Sequence, residues 1–145
     1  MTRSVAATYT ERIFTELAGK PLDRHLNRFA EDVRGHGLVA DLGCGPGHVA
    51  QSLHEHGARM LGIDLSPRMI DWARKRSPDI EFRVGDMRAL DLPGGLLLVA
   101  GHLGEETVHR DELWGHGMSR DFRFLQPARM AASLGESGFH VLESR

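Results

Sequence analysis

Val39-Ala40-Asp41-Leu42-Gly43-Cys44-Gly45-Pro46-Gly47-His48 carries an apolar strand end into a loop built on three glycines. Leu38, Val39 and Leu42 supply a short buried strand. Glycines at alternate positions let the backbone turn sharply and approach a ligand without interference from Cβ. A helix is expected over 48–56, with its free N–H groups and the positive end of its dipole facing whatever the loop holds.

Glycine-rich strand-to-helix turns serve nucleotides, phosphates and plain tight packing alike, so spacing has to narrow the choice. The dinucleotide fingerprint asks for Gly-x-Gly-x-x-Gly, whereas the glycines here fall at 43, 45 and 47, and His48 stands where the third belongs. Twenty-one residues beyond Gly43, a second apolar strand, Met60-Leu61-Gly62-Ile63-Asp64, ends in a carboxylate of the kind that accepts hydrogen bonds from ribose hydroxyls. A third strand over 80–84 runs into Gly85-Asp86-Met87.

With these three stations the chain resembles the class I S-adenosylmethionine-dependent methyltransferases, closely over 38–93 and again from Gly94 onward. The resemblance implies a three-layer, Rossmann-like α/β fold. It also implies S-adenosyl-L-methionine as cofactor, with S-adenosyl-L-homocysteine as its product. Asp41, Gly43, Cys44, Gly45 and Gly47 would wrap the methionine part, and Asp64 would take both ribose hydroxyls. Leu65 and Met87 would flank the adenine, while Asp86 would accept its amino group. Family members often carry an N-terminal aromatic that touches the methionine end, and Tyr9 stands in that place, although ordinary packing explains a tyrosine there equally well. The plainer alternatives are solvated strand ends for the acids and turn geometry for the glycines. Three glycines with two correctly placed acids argue against both.

At 145 residues the chain is expected to form one domain, with N-terminal helices over 1–37, a cofactor-binding half over 38–93 and a reduced half over 94–145. The near balance of 18 Lys and Arg against 20 Asp and Glu does not point to nucleic acid or a membrane surface. Cys44 is the single cysteine, which excludes an internal disulfide and fits a reducing cytoplasm. Inside the loop it reads as a small hydrophobe rather than a nucleophile. Residues 1–14 are polar and charged, so neither signal peptide nor membrane anchor is expected there.

Among the helices, 10–17 places Ile13, Phe14 and Leu17 on one side and is expected to lid the cleft. Pro21 opens a stronger one, with Leu22, Leu26, Phe29, Ala30 and Val33 as its apolar stripe and Gly35 and Gly37 beyond its end. Ser66-Pro67 starts another, with Met69, Ile70 and Ala73 facing inward. Its closing Arg74-Lys75-Arg76 complements the helix dipole more readily than it forms a nucleic-acid patch.

Leu90-Asp91-Leu92-Pro93-Gly94-Gly95-Leu96 departs from the family. There, an Asp-Leu-Pro precedes the fourth strand and a Pro-Gly-Gly the fifth; here the two are fused, so a unit of roughly 30 residues that usually supplies acceptor-binding groups is expected to be absent. The partner that closes the sheet as a C-terminal hairpin in the family is expected to be absent as well. Residues 96–100 are then expected beside the first strand, giving the order 3-2-1-4, and Phe139-His140-Val141-Leu142 is expected as a fifth strand after a helix over Pro127–Glu136. The sheet would hold about five strands, mostly parallel. Residues 85–95 reach about 36–40 Å when extended, enough for that crossover but near the lower limit for a parallel connection. Residues 101–126 are polar and carry no clear signal.

Methyl transfer from a sulfonium needs in-line positioning above all, and a base only where the acceptor must lose a proton. His102, following 96–100, is the candidate base, because strand C-terminal ends face the ligand crevice in open parallel sheets; a surface loop histidine is the alternative. His109 and His116 lie among carboxylates, but no tight pair of the His-Glu-x-x-His kind appears and no metal is expected. His54 and His56 read as a solvated helix end. The expected function is methyl transfer to a small-molecule acceptor, without membrane association. One alternative is an RNA methyltransferase, which would need a basic face from Arg12, Arg24, Arg28, Arg68, Arg88 and Arg120. The other is a cofactor-binding protein without transferase activity. A homodimer is expected, by face packing or by exchange of the segment after Gly95, with Trp114, Phe122 and Phe124 at the contact or over the cleft.

Overall fold

The computed structural model describes residues 8, 11–12, 21–90, 97–98, 104–113, 116–124 and 126–140. The chain divides into two compact units, Met1–Leu98 and Val99–Arg145.

In the first unit α1 (Pro21–Val33) begins at its proline, as the first turn of a helix tolerates, and buries Leu26, Ala30 and Val33. It stops where Gly35 and Gly37 take φ of 77° and 103°. Then follow β1 (Leu38–Leu42), α2 (His48–Glu55), β2 (Arg59–Asp64), α3 (Pro67–Arg76) and β3 (Glu81–Val84), closed by a 3-10 turn at Met87–Ala89. The strands form a parallel sheet in the order β1-β2-β3, with Val39 opposite Met60 and Gly62 opposite Phe82. Both crossovers step the same way, and right-handed connections therefore put α2 and α3 on one face. The core agrees. Ala50 and Leu53 of α2 and Ile70 and Ala73 of α3 join α1, Met60 and Phe82 in a single apolar cluster. Leu61 and Ile63, one residue out of phase, are buried apart from that cluster.

Local chemistry sets the ends of α3. Ser66 caps it by accepting from the Met69 N–H at 3.4 Å, and Pro67 follows in the first turn. At its other end Arg74 donates Nε and an η-nitrogen to the Phe82 carbonyl at 3.2 and 2.8 Å, tying helix to strand. Lys75 sits 5.8 Å from the centroid of the Trp72 ring. These two cations are engaged within their own unit, in keeping with the structural reading of the basic run.

The second unit holds β4 (Thr107–Leu113), β5 (His116–Arg123) and α4 (Pro127–Glu136). The two strands pair antiparallel, Val108 opposite Phe122 and His109 opposite Asp121, with an irregularity between Arg110 and Glu112. Beyond α4, Gly138 takes φ of 85° and the Phe139 N–H returns to the Leu134 carbonyl at 2.9 Å.

The five-strand, mostly parallel sheet is corrected in its composition. Among the described residues the parallel sheet has three strands, and the other two form a separate antiparallel hairpin. Leu97 and Leu98 lie in no strand and are 47% and 37% exposed; Phe139 and His140 also lie outside any strand. Residues 96, 99–100 and 141–142 lie outside the described residues. The physical reason is connection length. A parallel partner for β1 has to be delivered by a crossover near its lower limit, whereas only residues 114–115 separate β4 from β5, and antiparallel neighbours need no more. The hairpin escaped the sequence reading because charged residues line both of its faces, leaving no apolar alternation. Of the helix expected over 10–17, Glu11 and Arg12 are helical and the rest lies outside the described residues.

Candidate cofactor site

Three adjacent parallel strands place Asp41, Asp64 and Asp86 at or just beyond their C-terminal ends, the side on which open α/β sheets form a ligand crevice. Between β1 and α2 the loop is held almost wholly by backbone. Gly43 and Cys44 both donate N–H to the Ile63 carbonyl, at 2.8 and 3.0 Å, and Gly47 donates to the Cys44 carbonyl at 3.0 Å. Gly43, Gly45 and Gly47 take φ of 76°, 54° and 85°, the left-handed region where a side chain would be strained. Turn geometry thus requires glycine, but it does not account for the space. Among the described residues a Cβ on Gly45 would meet no atom within 4 Å, which leaves space at the middle of the loop, and one on Gly43 would meet the Met87 methyl at 3.1 Å.

Asp64 locks the loop to the next strand turn. Its Oδ2 accepts the Gly45 N–H at 2.9 Å and its Oδ1 accepts the Ser66 N–H at 2.8 Å. An ionised carboxylate offers about four lone-pair directions, so two remain for hydroxyl donors. The Gly85 N–H donates to the Asp64 carbonyl at 3.0 Å, bringing the start of the Asp86 turn against β2. Leu65 and Met87 are 68% and 51% exposed, apolar side chains left in the open beside this cradle. That exposure suits two walls for a flat ring.

Asp41 has the opposite character. Burial pushes its carboxyl up to about 6, the Ala50 N–H that it accepts pulls the other way, and the charge of Asp64 adds to the rise. Its Oδ2 is enclosed and has no hydrogen-bond partner among the described residues. Such an orphaned acceptor is unusual in a folded interior and fits a donor brought by a ligand. Cys44 is buried with its thiol pushed up to about 12, first by burial and then by Asp41 and Asp64, which makes it inert as a nucleophile.

Gly62 and Phe82 belong to this site although the sequence reading gave them no role. The Phe82 ring fills the space where either Gly62 or Gly47 would carry a Cβ, the latter at 2.7 Å from its Cζ. A glycine inside an apolar strand is the signal that marks such a close approach. Tyr9 and His102 lie outside the described residues. The His109 ring bridges Asp121 at 2.7 Å and Asp111 at 3.0 Å within the hairpin. Among the described residues no group of three or more His, Cys, Asp or Glu is placed to hold a metal ion, and no helix is long and apolar enough to cross a membrane.

Residues 39–127 match the family described as Methyltransferase domain. Trans-aconitate 2-methyltransferases of Escherichia coli and Shigella flexneri are 50% identical over 62 residues, covering 37% of this chain and 25% of theirs. The chain thus spans about a quarter of the length of the curated relatives it matches. Similar solved structures include a TehB-like SAM-dependent methyltransferase from Corynebacterium glutamicum, with 26% identity over 60% of this chain and 48% of that one and a TM-score of 0.48. An S-adenosylmethionine-dependent methyltransferase from Mesorhizobium loti has 39% identity over 53% and 36%, with a TM-score of 0.45. An RNA methyltransferase from Salinibacter ruber in complex with S-adenosyl-L-homocysteine has 32% identity over 51% and 52%, with a TM-score of 0.43.

Proposed function

We propose that this chain, which belongs to the methyltransferase domain family, binds S-adenosyl-L-methionine in the cradle of Gly43, Gly45 and Gly47 and transfers its methyl group to a small-molecule acceptor. One observation carries the reading: Asp64 is fixed by the Gly45 and Ser66 N–H groups with acceptor capacity to spare, beside an open glycine loop. That arrangement suits a ribose diol. Asp41 would meet the amino-acid ammonium, Leu65 and Met87 would flank the adenine, and Asp86 would accept its amino group. The cofactor, when bound, supplies an electrophilic methyl on a sulfonium, so this chain's own residues have mainly to hold and orient. His102 would take a proton where the acceptor has one to lose. Residues 1–145 act in this reading as one methyltransferase domain.

The small-molecule acceptor rests on the near balance of charge over the chain and on the name of the matched relatives, which methylate trans-aconitate. The matched 62 residues lie in only a quarter of those relatives, so that support concerns the transfer more than the acceptor. We further propose a homodimer working in the cytoplasm.

Calorimetry with S-adenosyl-L-homocysteine tests the cofactor reading. Binding in the range of about 1–100 μM is expected for the wild type, and Asp64→Ala is expected to weaken it by at least about tenfold, the loss of two charge-assisted hydrogen bonds. No binding by the wild type, or equal binding by the variant, overturns the assignment. Transfer of a radiolabelled methyl group to pooled metabolites or to ribosomal RNA separates the two acceptor classes. Binding without label in either pool would favour a cofactor-binding protein without transferase activity.

A further inference from the structure

Asp41 carries a problem that the cradle alone does not solve. It stands one residue before the end of β1, accepts the Ala50 N–H, and leaves Oδ2 enclosed with no donor among the described residues. An ionised carboxylate in that position leaves Oδ2 without a hydrogen bond and has no counter-charge among the described groups that shift it. Its acidic neighbours supply neither. Asp64, at the end of β2, repels a charge on Asp41, and the Cys44 thiol in the loop stays neutral. His48 opens α2, the helix that also supplies the Ala50 N–H. Among the described residues no lysine or arginine is one of the groups that shift Asp41.

The missing pieces, a donor and a positive charge, are what an α-ammonium group brings. We infer that ligand binding at this site is proton-linked: Asp41 holds a proton until a ligand ammonium reaches Oδ2, and then releases it to solvent. The inference rests on the cofactor reading above and deepens it by making one part of the ligand responsible for the coupling. The proton leaves Asp41 as the ammonium hydrogen bond forms, and no other bond changes.

The sign is fixed. A carboxyl that titrates at about 6 without ligand and lower with it releases a proton on binding. Affinity therefore rises with pH, by up to about tenfold per unit below 6, and levels off above 7. A nucleoside ligand without the amino acid, 5′-methylthioadenosine, occupies the ribose and adenine positions but has no ammonium, so its binding should show no such slope.

The test is calorimetry on the full chain in two buffers of different ionisation enthalpy. Release of about half a proton with S-adenosyl-L-homocysteine at pH 6, none at pH 8, and about tenfold weaker binding at pH 5 than at pH 7 are expected. Asp41→Asn should remove both the release and the slope. Should that variant not fold, carboxyl NMR on the wild type decides: the Asp41 signal should titrate near 6 alone and below 5 with S-adenosyl-L-homocysteine. Flat affinity from pH 5 to 8 overturns the inference, as does equal proton release with 5′-methylthioadenosine. Failure of both ligands to bind overturns the cofactor reading instead, and an Asp41 signal titrating near the ordinary carboxylate value in the free protein overturns the proton linkage even then.

Discussion

At the scale of single residues, Asp41 sets stability against binding. Its carboxyl titrates at about 6 in the fold and at the ordinary 3.8 in the unfolded chain, so the native state holds the proton more tightly. The favourable contribution of the neutral form is complete below 3.8 and is lost as pH rises through about 6, in all about 3 kcal/mol. Asp41→Asn cannot ionise, and urea unfolding should find it more stable than the wild type at pH 7.5 by about 1–3 kcal/mol, with the difference gone at pH 3.5. No gain at pH 7.5 would mean that the carboxyl is better solvated than its enclosed Oδ2 indicates. Gly62→Ala tests the close approach of Phe82: its Cβ would enter the ring, and a loss of about 2–3 kcal/mol is expected from the melt. The loop and its acids were legible in the sequence because their spacing is local. The pairing of the Gly45 N–H with Asp64 and the contact of Gly62 with Phe82 join residues 19 and 20 apart, and neighbour-to-neighbour patterns do not encode them.

At the scale of elements, legibility followed the strength of the local signal. The helices at Pro21–Val33 and Pro127–Glu136 begin at the prolines that announced them, and Ser66-Pro67 caps as its residue types require. The β4–β5 hairpin has no such signal, since its stability rests on cross-strand pairs that exist only once the register is set. His109 is the clearest of these. Its hydrogen bond to Asp121, then that to Asp111, raises its imidazole above the ordinary 6.5. A group so raised contributes stability that is fully present below 6.5 and is lost as pH rises through the folded value. An NMR titration of the His109 ring should give a midpoint above 6.5, and Asp121→Asn should bring it most of the way back. A wild-type midpoint at or below 6.5 would show that the exposed bridge does not persist in solution.

For the whole molecule the decisive question is what meets the edges of a three-stranded parallel sheet. Parallel strands occur almost only where both faces are covered, and an unpaired strand edge recruits another chain unless charge or covering prevents it. Here β1 pairs only with β2 among the described residues, and the apolar Leu38 at its start is 51% exposed. On the other side β3 ends with Val84 equally open, although Glu81 and Arg83, paired at their side chains, place charge along that edge. The β1 edge is therefore the better surface for association, because no charged side chain of β1 precedes Asp41 at the cleft end. A two-fold copy packed along it would cover Leu38 and leave the crevice free. Light scattering at micromolar concentration is expected to report about twice 16.1 kDa, with a melting temperature that rises with concentration. Leu38→Lys puts a charge on that edge and should return a 16.1 kDa species that still binds S-adenosyl-L-homocysteine. A wild type that is already monomeric, with a cooperative melt independent of concentration, would mean that the sheet is sufficiently covered within one chain, and the dimer would have to be abandoned. A dimer untouched by Leu38→Lys would move the contact away from β1, toward exchange of the segment after Gly95.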